Sequence, residues 1–327
     1  MKKIAGLLAV LILISACQTK REKSIGMAVE FMNHAACAYV AREKGWFKKE
    51  GLRLSAYESY VTGMALASAM VREDIQIAYM CLIPAINVYA NAQIPIKILA
   101  GTHKYGYGLA VNPNKIKNIN DLQKRGLNIG CVREGGAVDV LLHKAMDKYH
   151  LNKAKVLKNI RRMNPPKQIL AIKSGKLDAA FLPEQWATMA EDYGFKMLLT
   201  AKDVWPRMQG SVLVIKDDLL KKRPDIAKKL IAATEKSTAW INANPIQAMN
   251  IVSKQMQSTK GVLFPAKAAK LAGKLEINSK VLSRSMNRMD YTGNISSEII
   301  QSTIDYMAKL GYIKKSFKAE EILYDKI

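Results

Sequence analysis

The feature that most restricts the fold is an alternation of short apolar runs with amphipathic stretches, carried through twice. Residues 25–31 form an apolar run of strand length. In residues 36–49, Ala36, Cys37, Tyr39, Val40, Trp46 and Phe47 recur at spacings of three, four and seven, which predicts a helix closed by Gly51. Strands are then expected over 52–57, 75–80 and 94–100, and helices over 63–71 and 83–91. A second series starts near Tyr107, with strands over 108–111, 127–132, 156–163, 177–182 and 196–200. Helices are expected between them over 119–124, 137–149, 166–173 and 184–192, the third with Pro166 in its first turn. A further strand is expected over 211–215, and the pattern beyond Pro224 is helical to about residue 310. A helix, a charged or Gly break, an Asp and an apolar strand recur as Val71-Arg72-Glu73-Asp74-Ile75 and Ser174-Gly175-Lys176-Leu177-Asp178. Such alternation predicts an α/β molecule with mostly parallel sheets covered by helices.

The amino terminus has a different logic. Met1-Lys2-Lys3 is basic, residues 4–14 are apolar or small, and Ser15-Ala16-Cys17 follows. The stretch reads as an export signal over 1–16, too short for a stable membrane span. Ile14-Ser15-Ala16-Cys17 resembles a bacterial lipobox. The resemblance implies cleavage before Cys17 and lipid on its thiol, with 17–24 as a polar tether in which Lys20, Arg21 and Lys23 face anionic headgroups.

Composition removes several function classes. Apolar residues make up 49% and charged residues 24%, an ordinary globular balance. The formal charge is +24, yet the Lys and Arg residues are scattered and the longest basic run, Lys221-Lys222-Arg223, stops at Pro224. Nucleic-acid binding concentrates charge on one face, so no nucleic-acid partner is expected. Beyond Cys17 the thiols are Cys37, Cys81 and Cys131, an odd set without a CxxC pair. The four His residues offer no zinc-like spacing along the chain, so neither a metal nor a cofactor is expected. His143 and His150 read as surface or structural, and the Met residues as core filling. GxSxG, HExxH and phosphate-loop motifs are absent, and an acid–base pair of Glu134 with His34 is conceivable but not demanded. An enzyme is not expected.

Several stretches are similar to one family. His34-Ala35-Ala36, Tyr39-Val40-Ala41 and Glu43-Lys44-Gly45-Trp46-Phe47-Lys48-Lys49-Glu50-Gly51-Leu52 resemble the opening of nitrate/sulfonate/taurine-type substrate-binding proteins of ABC importers. Gly63 heading a small-residue helix, Asn118-Ile119-Asn120-Asp121-Leu122, and Leu170 through Ala180 extend the resemblance over about 25–244. It implies a two-lobed type II periplasmic-binding fold, with two mixed, mostly parallel sheets flanked by helices. Lobe I would take 25–105 and 210–327, and lobe II 106–205. Hinge crossings are expected near 101–107 and 201–209. The implied partners are a small ligand, an ABC permease with its ATPase, and a bacterial membrane reached through the lipid. A monomer is expected on the extracytoplasmic side.

Ligands of open α/β sheets sit beyond the carboxyl ends of strands, where helix N-termini offer free N–H groups. The candidate ligand residues are therefore those that follow strands. They are Asn33 and His34, then Tyr60, Thr62 and Gly63, then Cys81. His103 and Tyr105 lie at the first crossing, and Arg133, Glu134, Gly135 and Gly136 lie in lobe II. Glu184 and Trp186 follow a later strand, and Trp205 lies on the return crossing. Two ligand chemistries stay open. A small oxyanion suits the two strand-to-helix junctions and Arg133. A planar heterocycle or an amine suits an aromatic wall of Tyr60, Tyr105, Tyr107, Trp186 and Trp205. A sensory or partner-docking lipoprotein on the same fold is the third reading.

Overall fold

The computed structural model describes residues 25–263 and 277–324. The export signal, Cys17 and its tether lie outside the described residues, as does part of the helical tail. Two sheets organise what is described. The first contains β1 (Ile25–Glu30), β2 (Leu54–Tyr60), β3 (Ile77–Cys81), β4 (Ile96–Tyr105), β10 (Gln209–Lys216) and β11 (Met289–Tyr291), in the order β11-β4-β10-β3-β1-β2. The second contains β5 (Tyr107–Val111), β6 (Ile129–Cys131), β7 (Ile160–Arg162), β8 (Ala179–Pro183) and β9 (Lys196–Thr200), in the order β7-β6-β8-β5-β9. The chain leaves the first sheet after β4 and returns to it at β10, so each sheet with its helices forms one lobe.

The strands at the centre of each lobe are buried along their whole length, as β1, β3, β5 and β8 show. Strands covered on both faces lose the apolar–polar alternation of a half-exposed sheet, which is why they were visible as continuous apolar runs. Parallel pairing joins β1 to β2 and β3, and β6 to β7 and β8. Both sheets are mixed, as expected, but parallel pairs are not the majority: antiparallel pairing enters at the strands flanking the changes of lobe and at β11 in the tail. Thus β10 runs antiparallel to β3 and β4, β5 runs antiparallel to β8 and β9, and β11 pairs antiparallel with β4.

Local differences have local causes. The helix expected over 36–49 breaks into Ala36–Glu43 and Trp46–Lys49, because Gly45 takes a left-handed conformation at φ 68°. The strand expected over 156–163 is a short helix, Lys153–Lys158, capped by the Asn152 side chain, followed by β7. Within the tail, three residues form β11, too few to leave a periodic signal.

One close approach fixes β1 against the segment that enters β3 in the first sheet. A Cβ on Gly26 would fall on the carbonyl oxygen of Asp74, at the start of the segment leading into β3. Replacing Gly26 with Ala is expected to destabilise the fold by about 3 kcal/mol, the cost of overpacking against backbone that cannot yield. Gly194, left-handed at φ 83° with open space around it, is expected to cost only about 1 kcal/mol on the same change. Urea denaturation of both variants measures the difference, and equal losses would contradict this packing.

Candidate functional site

A cavity of about 360 Å³ lies between the lobes, within the size range of small-molecule sites. From the first lobe it is reached by Met32 after β1, by Val61 to Ala65 after β2, and by Cys81 at the end of β3. From the second lobe it is reached by Tyr107 at the start of β5, by Val132, Arg133 and Gly136 to Val138 after β6, and by Arg162 at the end of β7 with Met163 to Pro165 after it. Apart from Tyr107, at the amino end of the antiparallel β5, these are the carboxyl ends of strands in both sheets, where open α/β sheets place their ligands.

Two cations border the cavity, and they differ in commitment. Arg162 donates to the Val132 carbonyl at 2.8 Å and to Asp139 Oδ1 at 2.5 Å. The Arg133 guanidinium is exposed and has no carboxylate within ion-pairing distance among the described residues. Beside it the helix Ala137–Lys148 begins without a side-chain cap. The first N–H groups of a helix precede its own hydrogen-bond ladder, and Ala137 and Val138 supply them at the cavity wall. Much of the remaining wall is apolar, with Met32, Val61, Met64, Val132 and Met163 prominent.

Beneath the first-lobe wall lies a buried polar cluster. Glu30, the last residue of β1, is fully buried. It accepts from the Cys81 N–H at 2.9 Å and from the Cys81 thiol at 2.9 Å. Burial pushes its carboxyl up to about 7, and the two bonds from Cys81 only partly oppose this. Burial pulls His34 down to about 4, with the Gly106 carbonyl pulling the other way. His34 is therefore neutral at pH 7, and its 3.8 Å approach to Glu30 is no ion pair. Its Nε2–H donates to Gly106 O at 2.7 Å, which leaves Nδ1 bare, 3.5 Å from Cys81 Sγ. Tyr107 donates to the same sulfur at 2.8 Å, and burial raises the Cys81 thiol well above its usual range.

The residues named from sequence divide cleanly. Thr62, Gly63, Cys81, Arg133 and Gly136 line the cavity, and so does Tyr107. Thr62 caps the helix Gly63–Ala69 by accepting from Ala65 N. A Cβ on Gly63 would strike Glu30 Oε1 and Pro84, so glycine there lets a helix sit on the buried carboxylate. His34 lies one layer behind the wall, and His103 packs against it with ring centroids 4.4 Å apart and the rings tilted by 52°. Asn33 is locked among Gln185, Ser285 and Tyr291. Glu134 is exposed beside Arg162, 3.6 Å from it. Gly135 turns away at φ 74°, its N–H on Asp139 and its carbonyl accepting from Asn87.

Of the expected aromatic wall only Tyr107 borders the cavity, and the other four members serve packing elsewhere. Trp186 is fully buried within its own helix. Trp205 packs on Tyr306 under Lys144. Tyr60 donates to Glu58, and Tyr105 lies under Lys202 at a left-handed crossing residue. Glu184 pairs with Arg288 and Thr188. Chain order hid several participants. Glu30 stands as a lone acid in an apolar run, the one signal that marked it. Arg162 and Asp139 gave none.

A family model described as the NMT1-like family matches residues 18–254. The chain belongs to the NMT1-like family. The taurine-binding periplasmic protein of Escherichia coli (strain K12) is 23% identical over 226 residues, 68% of each chain. The periplasmic aliphatic sulphonate-binding protein SsuA of Escherichia coli has a similar structure, at a TM-score of 0.71 and 15% identity, over 92% of this chain and 97% of that one. The periplasmic nitrate-binding protein NrtA of Synechocystis PCC 6803 gives 0.73 and 15%, over 92% and 85%. These likenesses agree with a type II periplasmic-binding fold. The named relatives are binding proteins rather than enzymes.

In this NMT1-like chain the lobes are bridged around the cavity. Asn87 of the first lobe donates to Gly135 O of the second at 3.1 Å. Tyr312 donates to the fully buried Asp139, and Tyr306 to Asp147 at 2.7 Å. On the far side Arg284 pairs with Asp192 at 2.6 Å and Arg288 with Glu191 at 3.0 Å. Converting Tyr312 to Phe removes a hydrogen bond to a buried carboxylate and is expected to cost about 2 kcal/mol. Guanidinium denaturation checks this, and an unchanged midpoint would show that the two lobes are not joined there.

Proposed function

We propose that this chain is the solute-capturing component of an ABC importer, tethered outside the cytoplasm by lipid on Cys17. It takes a small organic oxyanion, of the sulfonate type, and delivers it to a permease driven by its ATPase. The supporting observation is the inter-lobe cavity, with one uncommitted guanidinium, the uncapped helix start at Ala137 and a largely apolar wall. Arg133 suits a charged head through charge-assisted bonds. The Met and Val side chains suit an apolar remainder rather than a bare inorganic ion. The likeness to taurine- and sulphonate-binding proteins points the same way. A planar heterocycle is less well served, since Tyr107 alone of the five aromatics borders the cavity.

Lobe closure supplies the mechanism. The chain crosses between sheets at Tyr105-Gly106, with φ 63° and 92°, and again over 201–208. A solute touching both lobes favours the closed arrangement by its differential affinity for it, and the closed surface is what the permease reads. The division into lobe I over 25–105 and 210–327 and lobe II over 106–205 belongs to this proposal, as does the monomeric state.

Isothermal titration with alkanesulfonates, nitrate and pyrimidines tests the reading. An alkanesulfonate is expected to bind, and Arg133→Gln to weaken it at least tenfold, about 1.4 kcal/mol. Tight pyrimidine binding unaffected by that change would refute it. Separately, Cys17→Ala is expected to release the protein from membranes during fractionation, and a membrane-bound variant would refute the anchor.

A further inference from the structure

Three donor atoms of different chemistry meet in the buried cluster. Glu30 Oε2 lies 2.9 Å from Cys81 Sγ, Cys81 Sγ lies 3.5 Å from His34 Nδ1, and His34 Nδ1 lies 3.8 Å from Glu30 Oε2. A point equidistant from all three is about 2 Å from each, and zinc is held by nitrogen and oxygen at about 2.0–2.2 Å and by sulfur at about 2.3 Å. The triangle therefore already has nearly the size of a first coordination shell.

Each donor is also held from behind. The Gly106 carbonyl takes the His34 Nε2–H at 2.7 Å, which fixes the tautomer and presents the Nδ1 lone pair. The Cys81 N–H holds Glu30 Oε1 at 2.9 Å, and the Tyr107 hydroxyl reaches the sulfur at 2.8 Å. A carbonyl behind the histidine and hydrogen bonds on the other ligands are the outer shell that metal sites carry. We propose that Glu30, His34 and Cys81 bind one divalent transition ion of the zinc class.

The donor chemistry selects that class. A thiolate beside an imidazole suits zinc or cobalt(II), whereas calcium and magnesium take oxygen ligands. Charge closes as well. One thiolate, one carboxylate and a neutral imidazole balance a divalent ion, so a fully buried set carries no net charge, which the interior would otherwise penalise. Binding releases the thiol proton and any carboxyl proton to solvent. Cys81 and Tyr107 border the inter-lobe cavity, which gives the ion a path in. Three protein ligands leave a fourth position for water or a donor group of a bound solute. Spacing along the chain concealed the set, because β1, the turn after it and the end of β3 contribute one residue each.

The test is cobalt(II) titration of the purified full chain after chelator treatment, with no solute added, so its outcome is independent of the importer reading. Cobalt is supplied both to the folded protein and during refolding from denaturant, so that slow entry cannot hide a site. One equivalent is expected to produce a thiolate-to-cobalt charge-transfer band with tetrahedral visible bands, and zinc is expected to displace it. Cys81→Ser is expected to abolish the charge-transfer band. His34→Gln and Glu30→Gln are expected to weaken uptake at least tenfold, while Cys37→Ser and Cys131→Ser leave it intact. Circular dichroism establishes that each variant is folded. No band by either route, or a band retained in Cys81→Ser, would overturn the site.

Discussion

The single bond from His34 Nε2 to the Gly106 carbonyl joins the two halves of this molecule at the point where the chain leaves one sheet for the other. Gly106 sits at φ 92°, and a Cβ there would meet both His34 and His103. No other residue type combines that backbone conformation with so close an approach of two imidazoles. The same carbonyl accepts from Glu184 N at 2.8 Å, at the start of a second-lobe helix. One peptide group thus ties the first lobe's buried cluster to the second lobe's helix layer. The crossing has little slack, while the lobes around it are joined through side chains such as Tyr312, Arg284 and Arg288.

That constraint explains how a polar cluster survives inside an apolar core. Burying Glu30, His34 and Cys81 without partners would cost several kcal/mol. Each instead has a partner supplied by the crossing, by Cys81's own backbone or by Tyr107. The helix Gly63–Ala69 sits on this cluster only because Gly63 has no side chain to strike Glu30. The cavity wall above it is therefore positioned from beneath. What faces solute is chiefly apolar surface, with Arg133 as the charge left uncommitted. The +24 overall charge bears on long-range steering of anions, whereas in the proposed function the pocket's selectivity rests on Arg133 and the wall.

Much of the architecture was legible in the chain because strands buried on both faces show as unbroken apolar runs. The two-series alternation located β1, β3, β5 and β8, and strand ends gave Thr62, Gly63, Cys81, Arg133 and Gly136 at the cavity. What failed was anything requiring direction or depth. The antiparallel return of β10 and β5 carries no signature in periodicity. Trp186 and Trp205 occupy the expected places in sequence, yet their side chains turn into helix packing. Glu30, Arg162 and Asp139 belong to the site or its support through contacts across 23 to 51 positions, which spacing rules do not reach. The donor set of Glu30, His34 and Cys81 was missed for the same reason.

The proposed means of capture is the closing of two lobes about the Gly106 crossing when a solute bridges them. Small-angle X-ray scattering of the purified chain, with and without a saturating alkanesulfonate, tests this most directly. A smaller radius of gyration in the presence of the sulfonate is the expected result. An unchanged radius at demonstrated saturation would contradict lobe closure as the means by which this protein holds its ligand.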